Sequence, residues 1–466
     1  MTRRFVCIHG HFYQPPREDP KTGEVPVEPS AAPHRDWNRR ITDECYYPNV
    51  AARTYGRMSF DFGPTLLAWL ETHAHNVYRG ILDADLESRE RFGGHGSALA
   101  MGYNHMILPL ANARDKKTQI LWGLKDFEHR FGRRSEGFWF PETAVDLEGL
   151  EILAEHGVRF TVLAPHQART VRERNDHYWQ KVPAGEIDAT MPYELNLPSG
   201  RRMAVFFYDG AISRAIAFEG LLHSGDALVD RMMRTFSEDR VGPQLVSLAT
   251  DGESYGHHHK FGEMALDYAL KRIERDGLAR LANFGSFLEA CEPTHEVEIR
   301  ERTSWSCPHG VERWRGDCGC RTGTGPGGQT WRQPLREALD WLRDTLEPVF
   351  EIEASEYLTD PWRARDDYIG VLVSKGAADF FAVHAVRPLA PREQADVLRL
   401  MELQRHLMFM YTSCGWFFDD PWALGTLQVL KFARRALELA AEAFGADLKP
   451  EFERRLGPQF PDESRR

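Results

Sequence analysis

Two carboxylic acid side chains each follow an apolar run that is typical of a buried strand. Glu142 ends the segment Gly137–Glu142, and Asp251 follows Gln244–Ala249. Acids at the ends of separate strands can face each other across a pocket, where one attacks a sugar and the other protonates the leaving oxygen. Trp139 offers a flat apolar surface for a sugar ring. The pair therefore suggests cleavage of glycosidic bonds.

The elements that must hold these acids alternate between short strands and helices over the first two-thirds of the chain. Apolar runs predict strands at Arg4–His9, Gly137–Pro141, Arg159–Leu163, Met203–Tyr208 and Gln244–Ala249. Helical periodicity predicts helices at Thr65–Arg91, Lys116–Phe131, Leu147–His156 and Lys260–Arg275. Such alternation is typical of an α/β fold with a parallel sheet, either open or closed into a barrel. The candidate polar side chains follow strand ends, so they should share one rim.

The character of the chain changes after residue 290. We expect a catalytic α/β barrel over 1–290 and a long loop rich in Cys, Trp and Gly over 291–334. A helical domain should follow over 335–448, and a polar tail over 449–466.

Composition excludes several classes of partner. The 466 residues carry a net charge of −11 and no basic stripe, which argues against nucleic acid. No apolar window approaches the length of a membrane helix, and the start of the chain does not resemble a secretory signal. Seven cysteines, an odd number, fit a reducing cytoplasm better than a disulfide scaffold. Nothing in the sequence predicts the oligomeric state.

The segments Gly137–Glu142 and Asp251–His257 resemble motifs of glycoside hydrolase family 57, and most closely a bacterial branch of it. The family acts on α-glucans and includes amylases, branching enzymes and 4-α-glucanotransferases. The resemblance extends from His9 to the region near Trp422. It implies an incomplete (β/α)7 barrel, a C-terminal helical domain that completes the cleft, retention of configuration, and no required metal or other cofactor.

The resemblance also implies roles for individual residues. Glu142 would be the nucleophile and Asp251 the general acid/base, which requires a raised pKa. Substrate-binding candidates are His9, His11, Gln14, His105, Trp139, Asp209, Glu253, His257, Trp305, Trp416 and Asp419. Structural alternatives remain for three of them: a hydrogen-bonded histidine at His11, an ion pair between Asp209 and Arg214, and core packing at Trp416.

The histidines and cysteines raise the question of metals. His9, His11, Asp209 and the His257–His259 run could bind a divalent ion, as in the related barrels of deacetylases and mannosidases. Such sites normally include an aspartate on the first strand, which His-Gly-His lacks, so we predict no catalytic metal. A second set could form a closed structural zinc site, although we favour packing by free thiols: Cys307, His309, Cys318 and Cys320.

These inferences predict a retaining enzyme that cleaves or transfers α-1,4-linked glucose chains, with an α-glucan or maltooligosaccharide as substrate. Water as acceptor would make it a hydrolase, and a sugar hydroxyl a transferase or branching enzyme. The alternatives are a metal-dependent carbohydrate deacetylase or mannosidase, and a non-enzymatic α-glucan-binding protein. Retaining chemistry predicts that the carboxyl groups of Glu142 and Asp251 lie about 5–5.5 Å apart.

Overall fold

The structure is a computed structural model that describes residues 3–322, 328–374 and 376–460. Its strands are β1 (Arg4–Phe12), β2 (Ser59–Phe62), β3 (Ala98–Met101), β4 (Gly137–Trp139), β5 (Phe160–Leu163), β6 (Ala168–Glu173), β7 (Gln180–Lys181), β8 (Tyr193–Asn196), β9 (Arg202–Phe207), β10 (Gln244–Asp251), β11 (Arg280–Leu281) and β12 (His295–Ile299).

The helices of the first 290 residues are α1 (Trp37–Ile41), α2 (Tyr47–Ala52), α3 (Pro64–His73), α4 (His75–Arg91), α5 (Ala113–Phe131), α6 (Leu147–Glu155), α7 (Gly210–Phe218), α8 (Gly225–Met233), α9 (Gly262–Arg275) and α10 (Phe284–Ala290). Those that follow are α11 (Arg332–Ser355), α12 (Pro361–Asp367), α13 (Ile369–Ser374), α14 (Ala378–His384), α15 (Pro391–Phe409), α16 (Cys414–Phe417), α17 (Leu424–Phe444) and α18 (Lys449–Leu456).

Seven parallel strands form the centre of the fold, in the order β10-β1-β2-β3-β4-β5-β9. Their residues are almost all buried, because helices cover the outer face and side chains fill the inner one. This arrangement confirms the predicted α/β fold with an incomplete (β/α)7 barrel. Two of its strands, β2 and β3, are four residues long and were not expected from the sequence.

The two end strands, β9 and β10, meet along a seam. Among the described residues, isolated hydrogen bonds at Ser247 join them in place of a regular ladder. The Asp209 amide donates to the Ser247 carbonyl at 2.7 Å, and the Ser247 hydroxyl donates to the Phe207 carbonyl at 3.3 Å. Beyond β9 the sheet continues through β8, β12, β6 and β7, with antiparallel pairing except between β8 and β12.

Large apolar side chains fill the interior of the barrel. The rings of Phe160 and Phe206 meet edge to face with centroids 5.6 Å apart, and Phe206 packs against Phe284 at 4.9 Å. All three are essentially buried. Burial of each ring stabilises the fold by about 1.5–3 kcal/mol, so the strand ends above them have a rigid base.

The chain divides into two compact units that alternate along the sequence. The first comprises residues 1–14, 27–101 and 130–305, and the second comprises 15–26, 102–129 and 306–466. The first holds the barrel. In the second, α15 packs against α17, and α11 packs against α18. Helix α18 occupies part of the segment for which the sequence predicts a polar tail. Within the described residues, every helix is too short or too polar to span a membrane.

Candidate active site

Three neighbouring strands bring a histidine between two aspartates. His11 on β1 lies in register with Asp251 on β10 and with Asp61 on β2. The imidazole Nδ1 of His11 lies 2.8 Å from Asp61 Oδ2, and His9 Nε2 lies 3.0 Å from Asp61 Oδ1. His9 also contacts the Ser59 hydroxyl through Nδ1 at 3.0 Å. Asp61, fully buried, thus orients both histidines.

Electrostatics gives the two histidines different charges. Burial opposes protonation of His11, but the carboxylate of Asp61, aided by Asp251 and Glu253, raises the pKa of His11 to about 9. Burial lowers the pKa of His9 despite its hydrogen bond to Asp61. The pKa of Asp61 is below its ordinary value, because the imidazoles outweigh the effect of its burial. At neutral pH, His11 is a cation beside the Asp61 anion.

A tight turn at the end of β10 carries two further acids. Asp251 is the last residue of β10, and a single 3-10 turn, Gly252–Ser254, follows. Glu253 is buried, and its Oε1 accepts hydrogen bonds from the Tyr13 amide at 3.1 Å and the Tyr46 hydroxyl at 2.6 Å. These bonds tie the turn to the segments after β1 and before α2.

Both acids of this turn hold their protons more tightly than usual. The Asp251 side chain is accessible at the strand end, yet the surrounding protein displaces much of its water. This desolvation raises the pKa of Asp251; the charge of His11 opposes the shift, and that of Asp61 adds to it. Burial also raises the pKa of Glu253 to about 7, although the Tyr46 hydrogen bond acts in the opposite direction. Asp251 therefore meets the electrostatic requirement for a proton donor.

Glu142 sits on a strained turn immediately after β4. Glu142 and Thr143 adopt φ values of 59° and 49°, in the left-handed region that β-branched residues such as threonine rarely enter. Gln167 holds this turn by donating from Nε2 to the Thr143 carbonyl at 2.8 Å. Backbone strain of this kind costs about 1–3 kcal/mol and is concentrated at functional sites.

Trp305 holds Glu142 by its backbone and by its side chain. The Trp305 amide donates to the Glu142 carbonyl at 3.0 Å, and the indole Nε1 donates to the Glu142 carboxylate at 2.9 Å. The Trp305 ring also meets the rings of His11 and Tyr208 edge to face, with centroids 6.0 and 6.4 Å apart. Burial and the charge of Asp251 raise the pKa of Tyr208, so this aromatic group also adjoins Asp251.

Trp139 forms the floor beneath these groups. Its ring is fully buried and stacks on His9 and His11, with centroids 4.6 and 5.4 Å apart, while Trp305 meets it edge to face at 5.1 Å. Trp139 thus supports the histidines, whereas the sequence suggests a surface for a sugar ring. Burial on the inner side of β4 is the physical reason.

The assembled groups comprise the carboxylate of Glu142, held by Trp305, and the carboxyl group of Asp251, whose pKa is raised; Trp305 and His11 lie between them. This combination can support nucleophilic attack followed by proton transfer. The separation of 5–5.5 Å between the two carboxyl groups stays a prediction.

Two segments of the sequence match known protein-family models. Residues 93–300 match the model described as glycosyl hydrolase family 57. This matched segment, which we call the family 57 segment, is similar to that family over 208 of the 466 residues. Glu142 and Asp251 both lie within the family 57 segment. Residues 328–459 match a second model, described as a domain of unknown function (DUF3536). A search of curated proteins gives no match.

Solved structures resemble the chain over nearly its whole length. An exo-type maltose-forming amylase from Pyrococcus sp. ST04 has a TM-score of 0.72 at 16% identity, covering 98% of this chain and 82% of that one. A family 57 branching enzyme from Pyrococcus horikoshii has a TM-score of 0.61 at 15% identity, covering 98% and 97%. A 4-alpha-glucanotransferase from Thermococcus litoralis has a TM-score of 0.59 at 14% identity, covering 95% and 60%. At these identities the likeness shows the fold.

Other candidates in the family 57 segment and the first unit have structural contacts. Asp209 caps α7 by accepting from the Ile212 amide at 2.9 Å, and Arg214 pairs with Glu219 at 3.2 Å. The predicted pair between Asp209 and Arg214 is therefore absent among these contacts. Gln14, two residues beyond the end of β1, is half-buried.

The histidines considered as metal ligands are committed to hydrogen bonds. Both ring nitrogens of His9 have partners, and Nδ1 of His11 faces Asp61. His257 Nδ1 pairs with Glu44, and His259 Nε2 lies 3.0 Å from the Ala217 carbonyl. These hydrogen bonds orient the imidazoles and occupy ring nitrogens that a metal ion would need as ligands.

Three candidates belong to the second unit. His105 has a positive φ of 59° and contacts the Ser413 hydroxyl through Nδ1 at 2.6 Å. Trp416 is fully buried, with the Arg336 guanidinium 4.3 Å from its ring centroid, so it packs in the core where the sequence predicts a stacking platform. Asp419 accepts from Gln329 Nε2 at 2.6 Å.

Sequence reasoning missed Asp61, Tyr13 and Tyr46. Asp61 lies within the short aromatic run Ser59–Phe62, and a buried acid between two phenylalanines is a signal that could have identified it. The two tyrosines had no such signal, because their contact with Glu253 joins segments more than 200 residues apart.

Proposed function

We propose that the protein is a retaining enzyme that cleaves or transfers α-glucan chains. The observation that carries the proposal is that both acids adjoin one aromatic cluster. Trp305 holds Glu142 on a strained turn and contacts His11 and Tyr208, and Asp251, whose pKa is raised, interacts with these same two residues. The match of residues 93–300 to glycosyl hydrolase family 57 supports it.

The first half-reaction breaks the glycosidic bond. A carboxylate oxygen of Glu142 attacks the anomeric carbon, and the bond from this carbon to the glycosidic oxygen breaks. Asp251 delivers its proton to the leaving oxygen. The raised pKa of Asp251 supports this role, because the group must carry a proton near neutral pH. The product is a glycosyl ester on Glu142.

The second half-reaction releases the glycosyl group. Asp251, now ionised, takes a proton from an acceptor hydroxyl, whose oxygen attacks the anomeric carbon and displaces Glu142. The His11 cation stabilises Asp251 in this ionised state. Glu253, anchored by Tyr13 and Tyr46, positions the turn that carries Asp251.

The choice of an α-glucan as substrate rests on the structural relatives. Their descriptions name a maltose-forming amylase, a branching enzyme and a 4-alpha-glucanotransferase. We therefore propose a maltooligosaccharide or longer α-glucan as donor, with water or a sugar hydroxyl as acceptor. We also propose the cytoplasm as its compartment, which the seven cysteines, an odd number, support.

The test is incubation of the full chain with amylose and with single maltooligosaccharides. New reducing ends would identify a hydrolase, redistributed chain lengths a glucanotransferase, and new α-1,6 anomeric protons in NMR spectra a branching enzyme. Glu142→Gln should lower each activity by at least about 10³-fold. Equal activity of this variant would refute the assignment.

Trapping separates an enzyme from a binding protein. A 5-fluoro glycosyl fluoride should add one glycosyl mass to the peptide containing Glu142, because the second step becomes slow. Affinity for amylose with no product and no trapped ester would instead indicate a non-enzymatic glucan-binding protein. Activity lost with EDTA and restored by a divalent metal, without trapping, would indicate a metal-dependent enzyme.

A further inference from the structure

Four potential metal ligands converge in the loop between β12 and α11. One ligand atom from each of Cys307, His309, Cys318 and Cys320 lies within 4.8 Å of all the others. Among the described residues no other set of His, Cys, Asp or Glu side chains meets this condition. The two pairs flank a short 3-10 turn, Glu312–Trp314.

The distances fit a tetrahedral zinc ion. Zinc–sulfur bonds of about 2.3 Å place the sulfurs of a tetrahedron about 3.8 Å apart, and a sulfur and a nitrogen about 3.6 Å apart. Cys307 Sγ and Cys320 Sγ are 4.0 Å apart, and His309 Nδ1 is 3.2 Å from Cys320 Sγ. A disulfide requires about 2.05 Å between the sulfurs, so the 4.0 Å separation favours a metal over a covalent bond.

The surroundings hold the Cys318–Cys320 turn in place. Gln329 donates from Nε2 to the Cys320 carbonyl at 2.7 Å and accepts from the Gly319 amide at 3.2 Å. Gly319, between the two cysteines, has a φ of 74°, a conformation that glycine adopts without strain. Backbone hydrogen bonds to Gln329 thus hold the turn that carries Cys318 and Cys320.

Charge is balanced as well. Zn²⁺ with three thiolates and a neutral imidazole carries a formal charge of −1. The buried guanidinium of Arg332 lies 3.7 Å from Cys318 Sγ through Nη1, where it can donate to a thiolate. Hydrogen bonds from outside the ligand set are typical of structural metal centres.

We propose that Cys307, His309, Cys318 and Cys320 bind one structural Zn²⁺. All four positions are filled by protein, so the ion has no site for substrate. The ion would link the turn at Cys307 and His309 to the turn at Cys318 and Cys320. It would thereby close a loop with about a dozen residues between Cys307 and Cys320, in a segment whose described part has little regular structure. In the sequence the first ligand follows Trp305, the partner of Glu142, by two residues.

Zinc content is the direct test. The full chain, produced with zinc in the medium and dialysed, should contain about one Zn²⁺ per molecule by mass spectrometry of the element. Cys307→Ser and Cys320→Ser should each lower this at least about 10-fold. Cys291→Ser changes a half-buried thiol outside the set and should retain the metal. Zinc-free wild-type protein, or equal zinc in wild type and both variants, would overturn the proposal.

Cobalt and a ligand exchange test the coordination itself. Co²⁺ in place of zinc should give the intense visible bands of a tetrahedral site with thiolate charge-transfer bands in the near ultraviolet. His309→Cys should keep the metal, whereas His309→Ala should lose it. Octahedral cobalt spectra, or an intact mass two hydrogens lighter with peptide mapping that locates a Cys307–Cys320 disulfide, would refute the site. These measurements do not depend on activity on glucans, so they test the zinc site separately from the proposed function.

Discussion

Trp305 is the residue on which the position of Glu142 depends most directly. Its indole N–H reaches the carboxylate at 2.9 Å, while its ring packs on Trp139. Trp305→Phe keeps the ring contact and removes the donor. We expect kcat for amylose cleavage to fall about 10- to 100-fold, the loss of a hydrogen bond to a charged group, with a smaller change in KM. An unchanged kcat would mean that this hydrogen bond does not position Glu142 for the proposed reaction.

His11 should set the pH range of the reaction. Its positive charge opposes the rise in the pKa of Asp251, and in the proposed mechanism loss of the Asp251 proton would define the basic limb of the kcat profile. His11→Gln removes the charge, so the basic limb should move to higher pH. A profile from pH 5 to 10 measures this. A limb that moves to lower pH, or stays in place, would contradict the assignment of Asp251 as the acid.

Thr143 has a strained backbone conformation directly beside Glu142, the proposed nucleophile. Its φ of 49° is strained, and its buried hydroxyl lacks a hydrogen-bond partner. Thr143→Gly should raise the free energy of unfolding by about 1 kcal/mol, the strain relieved less the entropy cost of glycine. It should also lower kcat, because the turn holding Glu142 becomes looser. Asn175→Gly is the control: it relieves a φ of 75° in an exposed loop and should leave kcat unchanged.

At the scale of elements, the end of β10 needs glycine to approach β1. A Cβ atom on Gly252 would lie 2.3 Å from the Phe12 ring, which is fully buried. Gly252→Ala should push the turn away from β1 and lower kcat about 100-fold, since a displacement of about 1 Å has that effect. Gly370→Ala, in α13 with open space around it, is the matched control and should behave as wild type. Equal activities would show that the turn tolerates displacement.

Some strands of the barrel could be predicted from the sequence and others could not. Strands β1, β4, β5, β9 and β10 were predicted, because each has a continuous apolar run or a clear boundary. Strands β2 and β3 were not: Asp61 interrupts the apolar run of β2, and two of the four residues of β3 are alanines, which favour strands less than the residues of β5 do. Asp61 was missed with β2: its role depends on register with β1, a long-range pairing that local pattern does not encode. The burial of Trp139 and Trp416 likewise depends on which face of an element meets the core.

For the whole molecule, the buried charged pair of His11 and Asp61 should make the free energy of unfolding depend on pH. The pKa of His11 is about 9, above its ordinary 6.5, so its contribution is fully present below pH 6.5 and is lost as pH rises through 9. The free energy of unfolding should fall between pH 7 and 9, by at most about 1.4 kcal/mol per pH unit. Urea unfolding at a series of pH values measures this slope.

Asp61→Asn tests the origin of that slope. The amide cannot stabilise the His11 cation as the carboxylate does, so the pKa of His11 should return toward its ordinary value. The variant should be less stable at pH 7, and its stability should vary less between pH 7 and 9. A slope equal to that of wild type would assign the effect to other groups.

The two units alternate along the chain, changing at residues 14/15, 26/27, 101/102, 129/130 and 305/306. Neither unit can therefore be exchanged or deleted as one continuous segment of the sequence. During synthesis, residues 102–129 leave the ribosome about 180 residues before the bulk of their own unit begins to appear. These early segments leave the ribosome without most of their final packing partners, so a product truncated before residue 306 would lack the bulk of the second unit.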